Sequence, residues 1–355
     1  VQLNRLRVYN YRRLERADLA FEGRFNLLIG DNATGKTSTL AAIQAAAGVR
    51  SATHPAASQA GSLEGQWLVG GEVSRPDGDR KTLETSYRRG ELQRQIDGSK
   101  SSIADQARAL ALLELPASGN RLLIDHGNRR RQLDWLLFHV EQPYGRLWAR
   151  YTRSLQQRNQ ALRSPASAGH LESWDHELAT AGEELSQRRA EAIPLLRDAW
   201  SRGLANLGLG DDWELALYPG WKAGHGLLET LRGSHASDRQ RGRTLHGPHL
   251  AQLRLSRGGR DLRDRVSGGE GRLVELALLV ALGQVLEQRA GKKPVLLADD
   301  LTAELGARAL SVSLGLIAET GWQVVATALA DGPLLQGRGR ALFHVEQGRV
   351  ERVVE

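Results

Sequence analysis

The sequence predicts an α/β fold made in two separated parts around an inserted helical lobe. Three observations carry that prediction. The chain opens with short strands that run into a glycine-rich loop and a helix, its middle turns to helical periodicity, and its C-terminal part resumes a helix, strand, helix, strand order. The expected divisions are 1–105 for the N-terminal part of the head, 106–235 for the helical insertion and 236–355 for the C-terminal part.

Each element has a local reason. Alternating apolar residues predict strands over Gln2–Tyr9 and Arg16–Phe21, and the apolar run Phe25–Ile29 predicts a buried strand entering the loop. Helix formers fill Thr37–Ala47, with Gly48 as a stop. Residues 65–96 alternate between breaks at Pro76-Asp77-Gly78 and Arg89-Gly90, the pattern of an antiparallel meander. From Ser101 to Leu207 the period is helical, with Leu133, Leu136, Leu137 and Val140 on one face and Leu178, Leu185, Ile193 and Leu196 on another. A break at Ser164–Gly169 divides this region into two antiparallel arms. Strands are expected again at Trp213–Tyr218 and Leu250–Leu255.

Composition narrows the chemistry. With no cysteine among 355 residues, disulfides, thiolate metal sites and a cysteine nucleophile are excluded. The longest apolar run, Leu273–Leu286, contains Glu275 and is too short for a membrane helix, and the opening residues lack a signal-peptide core, so a cytoplasmic protein with no membrane partner is expected. A formal net charge of +7 suits a polyanion, because Lys and Arg release counterions from phosphates; a solvated basic surface has the same composition.

Gly30-Asp31-Asn32-Ala33-Thr34-Gly35-Lys36-Thr37, followed by Ser38, fits the P-loop pattern and lies between a strand and a helix, where that pattern has meaning. Its glycines let backbone N–H groups face phosphates at the positive end of the helix. Lys36 is expected on the β and γ phosphates of ATP and the Thr37 hydroxyl on Mg²⁺. Downstream, Pro294–Ala298 is an apolar strand ending in Asp299 and Asp300, the form of a Walker B element in which Asp299 holds Mg²⁺. Asp300 stands where a base for the attacking water is needed, and its short side chain predicts slow hydrolysis. Ser267-Gly268-Gly269-Glu270-Gly271 opens a long helix with a natural N-cap and room for close approach, an anion site without a phosphate of its own.

Taken together these elements resemble the RecF family, bacterial recombination mediators related to SMC heads. Further support comes from Asn10-Tyr11-Arg12-Arg13, Arg130–Trp135 with Phe138–Glu141, Gln157–Leu162, and Asp238–Gly242 leading to Gly247-Pro248-His249, in the family's order. The resemblance implies an ABC-type ATPase head, a P-loop NTPase with an antiparallel β layer, plus a helical lobe without a long coiled coil. It implies a homodimer driven by ATP and a weak, DNA-stimulated ATPase. It further implies non-sequence-specific binding of duplex DNA and duplex/single-strand junctions, with RecR, RecO and RecA in the pathway. Carried over by position, Arg12 contacts a nucleotide phosphate, Asn32 lies by the γ-phosphate, and Ser267 with Gly268 and Gly269 acts across the dimer. Arg12 also reads as a strand-end charge and Asn32 as a turn former.

The sequence departs from the family at three places. The signature is Ser-Gly-Gly-Glu-Gly, Gly306 replaces an Asp after Glu304-Leu305, and Thr327 stands where a switch histidine is common. His249 is expected to be structural, and Trp135 and Trp174 to be core. For DNA phosphates the candidates are Arg129, Arg130 and Arg131, then Arg239, Arg241 and Arg243, each of which also reads as a solvated charge. Two rival readings are a transporter's nucleotide-binding subunit and a scaffold that binds ATP without turning it over.

Overall fold

The computed structural model describes residues 1–49, 65–75, 77–117, 121–163, 171–222, 224–262, 267–332 and 340–353; the expected break at Ser164–Gly169 and Pro76 lie outside them. Strand β1 (Gln2–Tyr11) pairs antiparallel with β2 (Leu14–Ala20) through the tight turn at Arg12-Arg13. A register shift between Leu3 and Arg5 resets the alternation, which is why Leu3 and Leu6, three apart, are both buried. β3 (Phe25–Ile29) follows, then α1 (Lys36–Ala46). Next come β4 (Trp67–Ser74), β5 (Arg80–Arg88), β6 (Glu91–Ile96) and β7 (Ser99–Lys100), which give a six-stranded sheet in the order β2-β1-β4-β5-β6-β7. α2 (Ile103–Ala109) starts with a capping box, in which Ser102 and Asp105 each satisfy the other's backbone N–H. β8 (Leu112–Leu115) follows directly.

Helices then dominate: α3 (Arg121–Ile124), α4 (His126–Val140), α5 (Tyr144–Arg163) and α6 (Leu171–Asn206). After β9 (Trp213–Tyr218), α7 (Leu227–Gly233) and α8 (His235–Arg241), the strands β10 (Gln252–Arg257) and β11 (Arg260–Asp261) complete a small antiparallel sheet in the order β11-β10-β9. α9 (Gly268–Ala290), β12 (Val295–Ala298), α10 (Ala307–Thr320), β13 (Gln323–Ala328), β14 (Arg340–Glu346) and β15 (Arg349–Val353) close the chain.

The chain divides into one unit of residues 1–119 and 272–355 and a second of residues 120–271. In the first, a parallel sheet of order β14-β3-β13-β12-β8 carries β15 antiparallel at its edge. α1 contacts β1, β4 and β5 of the antiparallel sheet and β13 of the parallel one, so Ser38–Gln44 are buried on every side of the helix. The core joins Leu3, Leu6 and Val69 of one sheet to Leu28, Leu297 and Val325 of the other. α9 is likewise buried around its circumference from Leu273 to Leu286. A Cβ on its Gly283 would lie 2.0 Å from the Trp322 ring, so only glycine lets that indole lie against the helix. The Trp322 Nε1–H donates to Glu287 at 3.0 Å.

In the second unit α5 and α6 run in opposite directions. Tyr144 bonds Arg189, Arg158 bonds Asp175, and Leu162 packs with Leu171, so numbers rise along one helix as they fall along the other. Between them lies an ion cluster whose Arg158, Asp175 and Asp238 are fully buried. Arg158 donates to Asp175 at 2.6 Å, to Asp238 at 2.7 Å and to the Thr244 hydroxyl at 2.8 Å, and His235 meets the other Asp175 oxygen at 2.6 Å.

The divisions expected at 105/106 and 235/236 differ from the observed ones. β8 was covered by the helical period expected from Ser101, yet Leu112–Leu115 pair in parallel with Val295–Ala298 and extend the first unit to Gly119. β10 bonds β9, which keeps residues up to Gly271 in the second. Leu133, Leu136 and Leu137 are buried as the helical period requires.

Candidate nucleotide site

Gly30 to Gly35 form the loop between β3 and α1. Gly30 has φ 153°, and a Cβ there would lie 2.2 Å from the Val345 carbonyl oxygen; Gly35 has φ 127°. Each conformation suits glycine alone. Ala33, at φ 65°, turns the loop in the left-handed region. The turn after β14 braces it: the Gly348 N–H donates to the Thr34 carbonyl at 2.8 Å, and Arg13 donates to the Ala33 carbonyl. The Thr34 hydroxyl donates to the Asp31 carbonyl at 3.0 Å. Lys36 Nζ donates to the carbonyls of Gly30 and Asp31, both at 2.7 Å, which holds its ammonium at the loop mouth. Asp31, Asn32 and Ala33 are exposed and Ser38 is buried.

Although 262 positions apart in sequence, Thr37 and Asp299 meet. The Thr37 hydroxyl lies 3.2 and 3.1 Å from the two oxygens of the Asp299 carboxylate. Parallel pairing puts β12 beside β13 and β13 beside β3, so the residues following β12 and β3 end on the same side of the sheet. Hard oxygen donors of this kind fit Mg²⁺, which keeps waters and phosphate oxygens for the rest of its shell. Among the described residues no group of three or more His, Asp or Glu forms a separate metal cluster.

Thr327, the residue at the switch position, is fully buried and joins the two acids. Its hydroxyl donates to Asp299 Oδ1 at 2.8 Å and accepts the Asp300 N–H at 2.7 Å. Asp300 has φ 46°, and its carboxylate accepts the Thr302 hydroxyl at 3.2 Å. This left-handed backbone is held from both sides, because the Asp300 carbonyl accepts Arg272 at 2.7 Å.

Arg272 is a residue that sequence reasoning missed. Buried near the start of α9, it donates to the carbonyls of Pro116 and Ala117 beyond β8 and to those of Asp299 and Asp300 beyond β12. Burial lowers its guanidinium pKa from the ordinary value, while the nearby Glu275, Asp300, Glu304 and Asp299 oppose the shift. Its position one residue after Ser-Gly-Gly-Glu-Gly was the only available signal.

The other expected residues are placed as follows. Arg12 lies half-buried in the β1–β2 turn, and burial lowers its pKa from the ordinary value. Ser267, Gly268 and Gly269 belong to the second unit. There Ser267 caps α9, its hydroxyl accepting the Glu270 N–H at 3.3 Å, and Arg257 clamps Glu270 at 2.7 Å. Gly306 precedes α10 with nothing within 4 Å of a Cβ placed on it.

Two of the arginines expected on DNA, Arg129 and Arg130, are instead spent on backbone carbonyls of the chain itself. Arg129 is fully buried and donates to the carbonyls of Leu122, Leu123 and Leu253, while Arg130 donates to those of His249 and Ala251; the first holds β10 to α4 and the second holds the turn just before β10, instead of facing a partner. Arg131, Arg239, Arg241 and Arg243 are exposed. His249 is structural: Thr244's carbonyl can only accept, so Nε2 carries the proton and Nδ1 accepts the Tyr151 hydroxyl at 2.6 Å. Burial lowers its pKa to about 4.

The RecF/RecN/SMC N-terminal domain model matches residues 2–350. The DNA replication and repair protein RecF of Pseudomonas aeruginosa is 35% identical over 367 residues, covering 99% of this chain and 98% of its own length. That of Shewanella denitrificans is 30% identical over 356 residues, 99% of each. Among solved structures, the recombination mediator protein RecF with ATP, in the RecFOR pathway, is similar at a TM-score of 0.87 and 25% identity over 99% of each chain. The head of an Smc protein bound to the C-winged helix domain of ScpA shares the fold at a TM-score of 0.57 and 15% identity, over 99% of this chain and 97% of that one.

Proposed function

The chain belongs to the RecF family of SMC-related ATPase heads, and from that premise we propose that it is an ATP-driven DNA-binding recombination mediator with slow ATPase activity. The observation that carries the reading is the meeting of Thr37, Asp299 and Thr327 at the mouth of the Gly30–Gly35 loop. A loop that only turned the chain would need neither a buried hydroxyl on the acid nor a lysine held over its carbonyls.

Each residue has a task in this reading. The backbone from Gly30 to Thr37, with Ser38, cradles phosphate oxygens, Asn32 lies beside the terminal one, and Lys36 moves from the loop carbonyls onto them. Thr37 and Asp299 hold Mg²⁺, and Arg12 adds charge from the β1–β2 turn. Thr327 fixes the Asp299 carboxylate and the Asp300 backbone together, so that Asp300 can orient a water from a preset position. Ser267, Gly268 and Gly269 complete the site of a second copy from the cap of α9. Bound MgATP supplies the phosphate charge that this cap recognises and the phosphoanhydride that is slowly hydrolysed.

In this reading the homodimer binds duplex DNA and duplex/single-strand junctions without sequence preference, and DNA raises turnover. RecR is the direct partner, with RecO and RecA later in the pathway. A cytoplasmic setting goes with a chromosomal substrate. No helix among the described residues is long and apolar enough to cross a membrane.

Molar mass by light scattering tests the dimer. Wild type should double its mass with MgATP, and Lys36→Ala should not; an unchanged wild-type mass overturns the proposal. A non-hydrolysing scaffold is the second reading, favoured by the threonine at position 327. Steady ADP release separates the two, because a scaffold releases none, and release that is equal in wild type and Asp300→Asn would remove Asp300 as the base.

A further inference from the structure

At the other end of the parallel sheet, where β3, β12 and β13 begin, the head has a cavity of about 200 Å³ lined by Gln2, Arg24, Arg75, Lys293, Gly321 and Trp322. Arg24 precedes β3 and Lys293 precedes β12, so the parallel register brings two cations to one edge. A point one bond from the Gly321 Cα lies 3.1 Å from Arg24 Nη1 and 3.7 Å from Lys293 Nζ. The local acids do not balance this charge. Glu287 is 3.4 Å from Lys293 but also accepts the Trp322 indole, and Asp79 is 3.7 Å from Arg75, both at exposed sites where such pairs are weak. The Arg24 side chain has no hydrogen bond or ion pair among the described residues. Next door, burial and then repulsion from Arg75 and Arg108 lower the Lys292 pKa from its ordinary value.

A guanidinium fork and an ammonium converging on one point in a concave site match a tetrahedral phosphate. We propose that this pocket, at the edge of the parallel sheet opposite the P-loop, binds a backbone phosphate of nucleic acid through Arg24 and Lys293. It rests on the DNA-binding reading above and gives that reading a specific contact. Gly321 has a role in it, because the absence of a side chain leaves the shared point free for a phosphate oxygen.

The test compares wild type with Arg24→Gln/Lys293→Gln and with an equally charged control, Arg88→Gln/Arg89→Gln, on the exposed end of β5. Duplex binding is read by fluorescence anisotropy with MgATP across a salt series, and thermal shift is read with inorganic phosphate or pyrophosphate alone. The pocket variant should bind duplex on the order of tenfold more weakly, and its log K against log salt slope should be shallower by about 0.9, the value for one lost phosphate contact. The control should lose less, MgATP turnover without DNA should stay at the wild-type rate, and phosphate should stabilise the pocket variant less than wild type and control, leaving it only the share that the P-loop supplies. Equal duplex affinity and slope in the pocket variant and control overturns the proposal. So does a phosphate shift reduced in the pocket variant with duplex binding intact, which assigns the pocket to free phosphate. A wild type that binds no duplex even with MgATP removes the DNA-binding reading itself. A second pair of variants keeps the local geometry. Asn and Asp both tolerate the left-handed backbone of Gly321, at φ +62°, but only Gly321→Asp brings an internal anion to the two cations. Gly321→Asp should therefore melt higher and bind duplex more weakly than Gly321→Asn, and the reverse order would also overturn the proposal.

Discussion

Replacing Thr327 by Val removes one oxygen from the centre of the head and leaves the volume almost unchanged. Two hydrogen bonds go with it, one to the Asp299 carboxylate at 2.8 Å and one from the Asp300 N–H at 2.7 Å. A bond to a charged acceptor contributes about 1.5–3 kcal/mol and a neutral one about 1 kcal/mol, so the loss should be about 2.5–4 kcal/mol. Little cavity energy is added, because the γ-methyl takes the place of the hydroxyl. For a unit of this size 1 kcal/mol shifts Tm by about 2–4 °C, which puts the expected fall on the order of 10 °C. Thr327→Ser keeps both bonds and loses only a methyl, so it should fall by a third of that or less. Differential scanning calorimetry on the three proteins reads this directly, and single-turnover ADP formation reads whether Asp300 has lost its setting. Val within 2 °C of wild type, or Ser as unstable as Val, would refute the assignment of Thr327 as the clasp between the two acids.

Three further outcomes are expected. Gly30→Ala places a Cβ 2.2 Å from the Val345 carbonyl at φ 153°, so it should abolish nucleotide binding by equilibrium dialysis and lower Tm, whereas Gly306→Ala, with open space around it, should leave Tm within about 2 °C of wild type. Arg158→Met leaves Asp238 buried without its cation and Asp175 with His235 alone, and should cost about 3–5 kcal/mol by urea denaturation, while the triple change that also makes both acids Asn should recover part of that loss. His249 has a folded-state pKa of about 4, below its ordinary value of 6.5, so its neutral form stabilises the fold. That contribution, up to about 3 kcal/mol, is full above pH 6.5 and is lost as pH falls toward 4. Comparison of Tm for wild type and His249→Gln at pH 7.5 and pH 4.5 should show the difference shrinking at the lower pH.

The loop between β3 and α1 was legible because its shape depends on local spacing: two glycines where the backbone must turn, a lysine and a threonine at the helix start. Asp299 was legible because an apolar strand that ends in acids is itself a local pattern. β8 was not, since the four residues Leu112–Leu115 are too few to separate a period of two from one of 3.6, and only pairing with β12 decides it. Arg129 and Arg130 were misread because charge predicts exposure unless carbonyls wait for it, and those of Leu253 and His249 arrive from more than a hundred positions away. Arg272 and Thr327 are of the same kind: ordinary by sequence, and given their roles by partners that only the folded sheet supplies.

The neighbours of β3 also set an order of events for synthesis. Leu27 and Leu28, fully buried at the end, pair on one side with Ala326 and Thr327 and on the other with Leu342 and Phe343, about 300 residues later. At ribosomal rates of about 5–20 residues per second, this strand waits roughly 15–60 s with both edges open. The second unit, continuous in sequence from 120 to 271, can finish folding during that wait. Translation speed and chaperone occupancy, rather than equilibrium stability, should therefore govern the yield of active head in a cell.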